Sequence, residues 1–252
     1  MTEAYVNHNV IDGVSIIEFF HPQSNSLPGH ILGKLAETIR MAGKDPNSNV
    51  ILLKSGGDRA FCAGASFDEL IAIDNEETGK VFFSGFAKVI NAMRKCPKFI
   101  IGRVQGKTVG GGVGLASSCD YCFATSNASI KLSELAVGIG PFVVGPAVER
   151  KIGKAAFSEL AIAAADWRSS SWAKDKGLFA ETSDSVEEMD SDIDAFIQKI
   201  KSFNPEAMAE MKKIFWEGTE HWDTLLLERA QVSGTLVLSD FTRNAINSFK
   251  KK

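Results

Sequence analysis

The sequence predicts an α/β fold that ends in a wholly helical quarter. Two patterns carry this expectation: strand-like apolar runs alternate with helical-period segments through the first two thirds, and helical spacing alone runs from Ser185 onward. A third observation is the stretch Lys98 to Thr125, KFIIGRVQGKTVGGGVGLASSCDYCFAT. It reads as a buried strand (Phe99, Ile100, Ile101, Val104), a glycine turn (Gly110, Gly111, Gly112), a short apolar helix (Val113 to Ser118) and a second strand from Tyr121.

In chain order, residues 4 to 20 hold two apolar segments, the second (Val14 to Phe20) a strand ended by His21-Pro22. Pro28 opens a helix to about Lys44, with Ile31, Leu32, Leu35 and Ile39 at helical spacing, and Asp45-Pro46-Asn47 stops it. Val50 to Leu53 is a buried strand, and Gly56-Gly57 turns into the small-residue loop Ala60 to Ala65. Phe67 to Cys96 is helical with a break around Asp74 to Glu77, and Pro97 ends it. After the central stretch come a strand near Ser129 to Leu132 and a polar step through Ser133-Glu134 into the loop Gly138 to Pro141. Helices follow at Val143 to Ile152, Ala155 to Ala164 and Ser170 to Lys176, then a strand at Leu178 to Glu181. The last quarter divides into Ser185 to Phe203, Pro205 to Glu217, Thr219 to Leu238 and Phe241 to the end. Residues 1–184 are thus expected to form the core, and residues 185–252 a helical appendage whose many large apolar residues pack against another subunit.

With 252 residues, 44% of them hydrophobic, the chain has ample material for one large core. A net charge of -3, with one short basic tail at Lys250 to Lys252, argues against a nucleic-acid partner. The N-terminus lacks a secretory pattern and no apolar run is long enough to cross a bilayer, so no membrane association is expected. Cys62, Cys96, Cys119 and Cys122 are few and irregularly spaced. The single C-x-x-C has no second pair and no histidine nearby, which predicts reduced thiols, no metal and a cytoplasmic location.

Three consecutive glycines cost backbone entropy and suit a turn that must approach something closely. A phosphate loop does not fit, because Gly102 and Gly106 enclose three residues where four are needed. A dinucleotide fingerprint does not fit either, because no glycine takes the third place of G-x-G-x-x-G. Close helix–sheet packing alone would explain the turn. Its position at a helix start, however, adds unpaired N–H groups and the positive end of the helix dipole. With a second small-residue loop at 60 to 65 and the isolated carboxylate Glu134, two backbone N–H groups could hold one carbonyl oxygen while a carboxylate moves a proton beside it.

At these residues the chain resembles the crotonase superfamily of enoyl-CoA hydratases and isomerases. The matching strings are AFCAGASFDEL (60 to 70), QGKTVGGGVGLASSCDYCFAT (105 to 125), KLSELAVGIGP (131 to 141), ADWRSSSWAKDKGLF (165 to 179) and HPQSNSL (21 to 27). The resemblance implies a crotonase-type spiral of ββα turns followed by a helical trimerisation region, assembled as a homotrimer or a dimer of trimers. It implies an acyl-CoA substrate, with coenzyme A present only as part of that substrate and no separate cofactor. The thioester oxygen would be held by the N–H groups of Ala65 and Gly111. Further substrate contacts are implied at Ala63, Gly64, Gly110, Gly114, Pro141 and Phe142, and Phe249 and Lys252 would close on the adenine end from a neighbouring subunit.

Two departures from the family pattern bear on the reaction. Gly114 stands where the two-glutamate hydratases carry their first glutamate, while the second is retained as Glu134. Gly140 to Val144 replaces a glycine-rich loop and predicts a bulkier, more apolar pocket wall. The expected activity is water addition to a 2-enoyl-CoA, the alternatives being a Δ3-Δ2-enoyl-CoA isomerase with Glu134 as its sole proton shuttle and a non-catalytic acyl-CoA-binding protein. An RNA-binding role would need a basic face that the composition does not supply.

Overall fold

The structure, a computed structural model, describes residues 3–249, and of Asn247 and Phe249 the backbone alone. An antiparallel hairpin opens the chain, β1 (Tyr5–Ile11) and β2 (Val14–Phe20), joined by Asp12 and Gly13 at φ of 49° and 77°. An Asp-Gly pair supplies the backbone twist that a two-residue hairpin turn needs. After β3 (Ser26–Leu27), α1 (Gly29–Lys44) buries Ile31, Leu32, Leu35 and Ile39 on its inner face.

The chain then repeats one plan. Each turn sends a strand into a large sheet, then a short strand into a smaller one, and then forms a helix. β4 (Val50–Ser55), β5 (Ala60–Cys62), β6 (Gly64–Ala65), α2 (Phe67–Ile71) and α3 (Glu76–Lys95) make the first turn. β7 (Phe99–Val104), β8 (Lys107–Val109) and α4 (Gly111–Ser118) make the second, and β9 (Tyr121–Thr125), β10 (Ser129–Lys131) and α5 (Gly145–Ile162) the third. β11 (Arg168–Ser169), α6 (Ser170–Asp175) and β12 (Glu181–Ser183) finish this part.

The large sheet has the order β1-β2-β4-β7-β9-β12 and is parallel from β2 onward. Val50, Ile51, Leu52 and Leu53 are all buried, as expected for a parallel strand covered on both faces. The second sheet has the order β11-β10-β8-β5, and β3 pairs with β6. The chain is therefore a spiral of ββα turns with a helical C-terminal region, as the sequence led us to expect.

Three details differ from the sequence reading. The Ala60 to Ala65 loop and Lys107 to Val109 are short strands, too brief to show alternation. The last parallel strand lies at Glu181–Ser183, not Leu178 to Glu181, because Leu178 and Phe179 bury their side chains just before it. The two helices expected from Val143 to Ala164 run as α5 with a break at Gly153, whose φ is 78°.

α7 (Val186–Ile200), α8 (Pro205–Phe215), α9 (Trp222–Leu236) and α10 (Asp240–Phe249) end the described chain. Much of their apolar surface is buried within this chain rather than left for another subunit. Met208, Trp216, Trp222 and Leu226 are all buried. α9 packs against α3 so closely that a Cβ on Gly79 would lie 2.8 Å from Gly234 Cα. Ile214, Phe215, Leu227 and Phe241 remain exposed. No helix among the described residues is long and apolar enough to cross a membrane, and all four cysteines are free and buried.

α8 is fastened by a buried ion pair. Lys212 Nζ lies 2.5 Å from Asp120 Oδ2 and donates also to the Lys98 carbonyl, while Asp120 accepts from the Ile100 N–H. Removing one partner of such a pair strands the other charge. Asp120→Ala is expected to lower stability by about 3–5 kcal/mol in urea unfolding. Asp120→Ala combined with Lys212→Met is expected to cost less than the sum of the two single changes.

Candidate active site

The site forms where the second ββα turn meets the loops of the first and third. Gly64 has φ of 91°, and a Cβ there would lie 3.2 Å from the Val109 carbonyl oxygen and 3.6 Å from the Gly111 nitrogen. Only a glycine lets the backbone leading into Ala65 run this close to the start of α4. The approach is held from outside by two buried amides. Asn25 Nδ2 donates to the carbonyls of Gly56 and Ala60, and Gln105 Nε2 donates to Ser55 Oγ and to the carbonyls of Gly57 and Ala60. Ser66 then caps α2 by accepting from the Glu69 N–H.

Gly110 turns the chain into α4 with φ of 53°, and its N–H donates to the Lys131 carbonyl at 2.9 Å. As the first residue of α4, Gly111 has an N–H with no acceptor inside the helix, at its positive end. The Phe86 ring occupies the space a side chain on Gly111 would need.

Glu134 comes to the same turn from the third unit. Its carbonyl accepts from Val137 and Ile139 N–H groups at 3.2 and 3.0 Å, which fixes the backbone at the start of a short 3-10 segment, Leu135–Val137. Its carboxyl lies directly over the glycine turn: a Cβ on Gly110 would be 2.9 Å from Glu134 Oε1. The residue as a whole is half-buried, but Oε2 is sealed from solvent and has no hydrogen-bond partner among the described residues. Burial pushes this carboxyl from its ordinary 4.5 up to about 7, against a weaker downward pull from its own backbone N–H.

A cavity of about 570 Å³ opens above these groups, and Ala63, Gly64, Ala65, Gly110, Gly111 and Glu134 all border it. Pro141 and Phe142 form part of its wall, and the expected apolar character there holds. Gly114, expected among the substrate contacts, is not on this wall. A Cβ on it would lie 2.6 Å from Val144 Cγ1 and 3.6 Å from Ile90 Cδ1, and of these two only Val144 borders the cavity. The Phe249 side chain and Lys252 lie outside the described residues. On α10, Phe241 and Thr242 pack against Gly138. Sequence reasoning placed Val144 in the bulky wall segment but did not single out Ile90 or Phe86, since each belongs to an ordinary apolar run. It also missed Trp167, which borders the cavity beside Lys131.

Residues 10–250 match the enoyl-CoA hydratase/isomerase family. The chain belongs to that family. Over 241 residues it is 25% identical to a probable enoyl-CoA hydratase of Bacillus subtilis, covering 95% of this chain and 93% of that one. It is 30% identical over 189 residues to the mitochondrial methylglutaconyl-CoA hydratase of Rattus norvegicus, covering 75% of this chain and 59% of the relative. A peroxisomal Delta(3,5)-Delta(2,4)-dienoyl-CoA isomerase of Arabidopsis thaliana is 26% identical over 234 residues, covering 87% of this chain and 80% of its own length. The crystal structure of an enoyl-CoA hydratase from Bacillus halodurans superposes with a TM-score of 0.89 at 19% identity, over 97% of this chain and 99% of that one, which shows a shared fold. This family member thus keeps the spiral while carrying a glycine sealed under valine at position 114.

The raised carboxyl has a consequence for stability. Folding favours the uncharged form of Glu134, so its contribution is fully present below the ordinary carboxylate range and is lost as pH rises through about 7. Glu134→Gln removes that loss. At pH 8 the variant is expected to be more stable than the parent by up to about 3 kcal/mol, the advantage closing towards pH 4.5. Urea unfolding of both proteins at the two pH values measures it.

Proposed function

We propose that the cavity binds an acyl-CoA thioester, that the N–H groups of Ala65 and Gly111 hold its carbonyl oxygen, and that Glu134 carries every proton transfer through an enolate. The observation that carries this reading is the Glu134 carboxyl: buried over the glycine turn, with Oε2 unpaired and an acidity near neutral. A group with such a pKa gives and takes protons with comparable ease at neutral pH. Negative charge that develops on the thioester oxygen is stabilised by preorganised N–H groups and by the positive end of α4.

The reaction we propose is addition of water to a 2-enoyl-CoA. Buried polar atoms are nearly always paired, so Oε2 is a seat for a water against the substrate's C3. Glu134 takes a proton from that water as its oxygen bonds to C3. The electrons move to the thioester oxygen to give the enolate, and Glu134 returns the proton to C2. A second reading is favoured by Val144 and Ile90, which leave Gly114 no room for a second carboxyl to help hold the water. With a 3-enoyl ester, Glu134 would instead take a proton from C2 and return it at C4.

The exposed apolar residues of 185–252, Ile214, Phe215 and Leu227 among them, offer a surface for a homotrimer or a dimer of trimers. Coenzyme A enters only as part of the substrate, and no nucleic-acid or membrane partner is part of this reading.

Incubation with crotonyl-CoA and with 3-hexenoyl-CoA separates the two reactions by absorbance of the conjugated thioester. Loss of signal from crotonyl-CoA is the expected result, and a gain from 3-hexenoyl-CoA with no loss from crotonyl-CoA would establish the isomerase. In either case kcat/KM is expected to rise with pH through about 7 as Glu134 ionises. Glu134→Gln is expected to cut turnover by about 10²–10⁴-fold with acyl-CoA binding kept. Retained turnover would remove Glu134 from its role.

A further inference from the structure

One edge of the cavity carries charge that proton transfer at the thioester does not use. Lys131 borders the cavity, and its Nζ lies 4.7 Å from the centroid of the Trp167 ring. Lys107 Nζ approaches the same ring at 5.4 Å. The register explains the cluster. In the second sheet, Lys131 pairs with Val109 across the parallel β8–β10 ladder, and Ile130 pairs with Arg168 across the antiparallel β10–β11 ladder. Lys107, Val109 and Lys131 therefore share one face of the sheet, and Trp167 continues the row one residue beyond Arg168. Trp167 is 40% exposed, which puts it at the rim.

Neither lysine has a carboxylate within ion-pair distance among the described residues, Glu134 included. Burial and its own backbone alone account for the Glu134 acidity, so no cation is spent on that carboxyl. An ammonium held on an aromatic face beside an apolar wall keeps its charge while losing part of its hydration, and a ligand anion restores the balance.

The sheet order says which end of the ligand this anion belongs to. Ala63 follows β5 at one edge of β11-β10-β8-β5, and Trp167 precedes β11 at the other. Three interstrand spacings separate those edges, about 14 Å. Gly111 follows β8 and Glu134 follows β10, so the reacting thioester lies between the two edges. If coenzyme A leaves over Ala63 and Ala65, the far end of the acyl group points to Lys131.

We infer that Lys131, set on the Trp167 face and seconded by Lys107, binds a carboxylate at the far end of the acyl group, so that the substrate is the mono-CoA thioester of a short dicarboxylic acid. This rests on the reading that the cavity holds an acyl-CoA with its thioester between Ala65 and Gly111. It adds the class of acyl group.

Binding of saturated, unreactive esters tests it apart from catalysis. Calorimetry should show glutaryl-CoA or adipyl-CoA bound about ten- to a hundredfold more tightly than butyryl-CoA and hexanoyl-CoA, the range for a charge-assisted contact. In Lys131→Met that preference is expected to fall to near parity, and in Lys131→Arg to be largely kept. The inference is overturned by equal affinities in the parent protein or by a preference that survives Lys131→Met. It is also overturned if Lys131→Met weakens all four esters alike, which would assign the lysine to the coenzyme A phosphates. A diacid preference without turnover of any 2-enoyl or 3-enoyl ester would uphold the inference and remove the proton-transfer reading. Failure of every ester to bind would remove both.

Discussion

The site depends on three backbones approaching one another more closely than side chains would allow. Gly64 brings the segment before Ala65 against the start of α4, Gly110 leaves the space in which the Glu134 carboxyl sits, and a Cβ on Gly112 would meet the Cys62 carbonyl oxygen at 2.5 Å. Each glycine costs conformational entropy on folding. What offsets that cost is the sheet pairing and buried amide network around it, above all Asn25 and Gln105 converging on the Ala60 carbonyl. The loop that meets the turn is thus held by Asn25, far from it in the chain, and by Gln105, close to the turn.

Rigidity matters here because the groups that would act on a substrate are mostly main chain. An N–H supplied by a helix start or a strand end cannot swing into place as a side chain can, so its position is the position of the element that carries it. The one side chain involved is treated similarly. Hydrogen bonds to its own carbonyl fix Glu134 at the head of the 3-10 segment, and the carboxyl is pressed onto the glycine turn with one oxygen unpaired. A carboxylate in that position is poorly solvated, and its raised pKa follows from the same burial that orients it. Placement and reactivity have one cause.

How much of this was legible in the sequence varies with the kind of signal. The long elements were, because the α1 stripe of Ile31, Leu35 and Ile39 has a helical period, and the short apolar run from Val50 to Leu53 is bounded by turn residues. The glycine turn and the carboxylate at 134 stood out by composition alone. The assignment of Ala65 and Gly111 as partners needed the resemblance, since a backbone N–H leaves no mark on residue type. The two- and three-residue strands β5, β6, β8 and β11 were not legible, for want of any periodicity. Nor was the pairing of Lys131 with Trp167, because the register that joins them spans a ladder between strands separated by a long excursion of chain. The route of α10 was also hidden, because an amphipathic helix shows that a face must be covered, not by what.

The single carboxylate reflects packing as well as residue identity. Gly114 lies on α4 between Ile90 of α3 and Val144 at the head of α5, and the valine methyl already fills the volume that a longer side chain at 114 would need. Protein interiors are dense enough that a glutamate placed there would have to displace Val144, Ile90 or the helix itself. Val144 in turn belongs to the segment from Gly140 that lends the cavity its apolar wall. The packing around Gly114 and the apolar wall therefore share one residue, Val144. On the proposed reading, one carboxyl on one face would manage the water or proton, and selectivity would be left to groups further along the acyl chain.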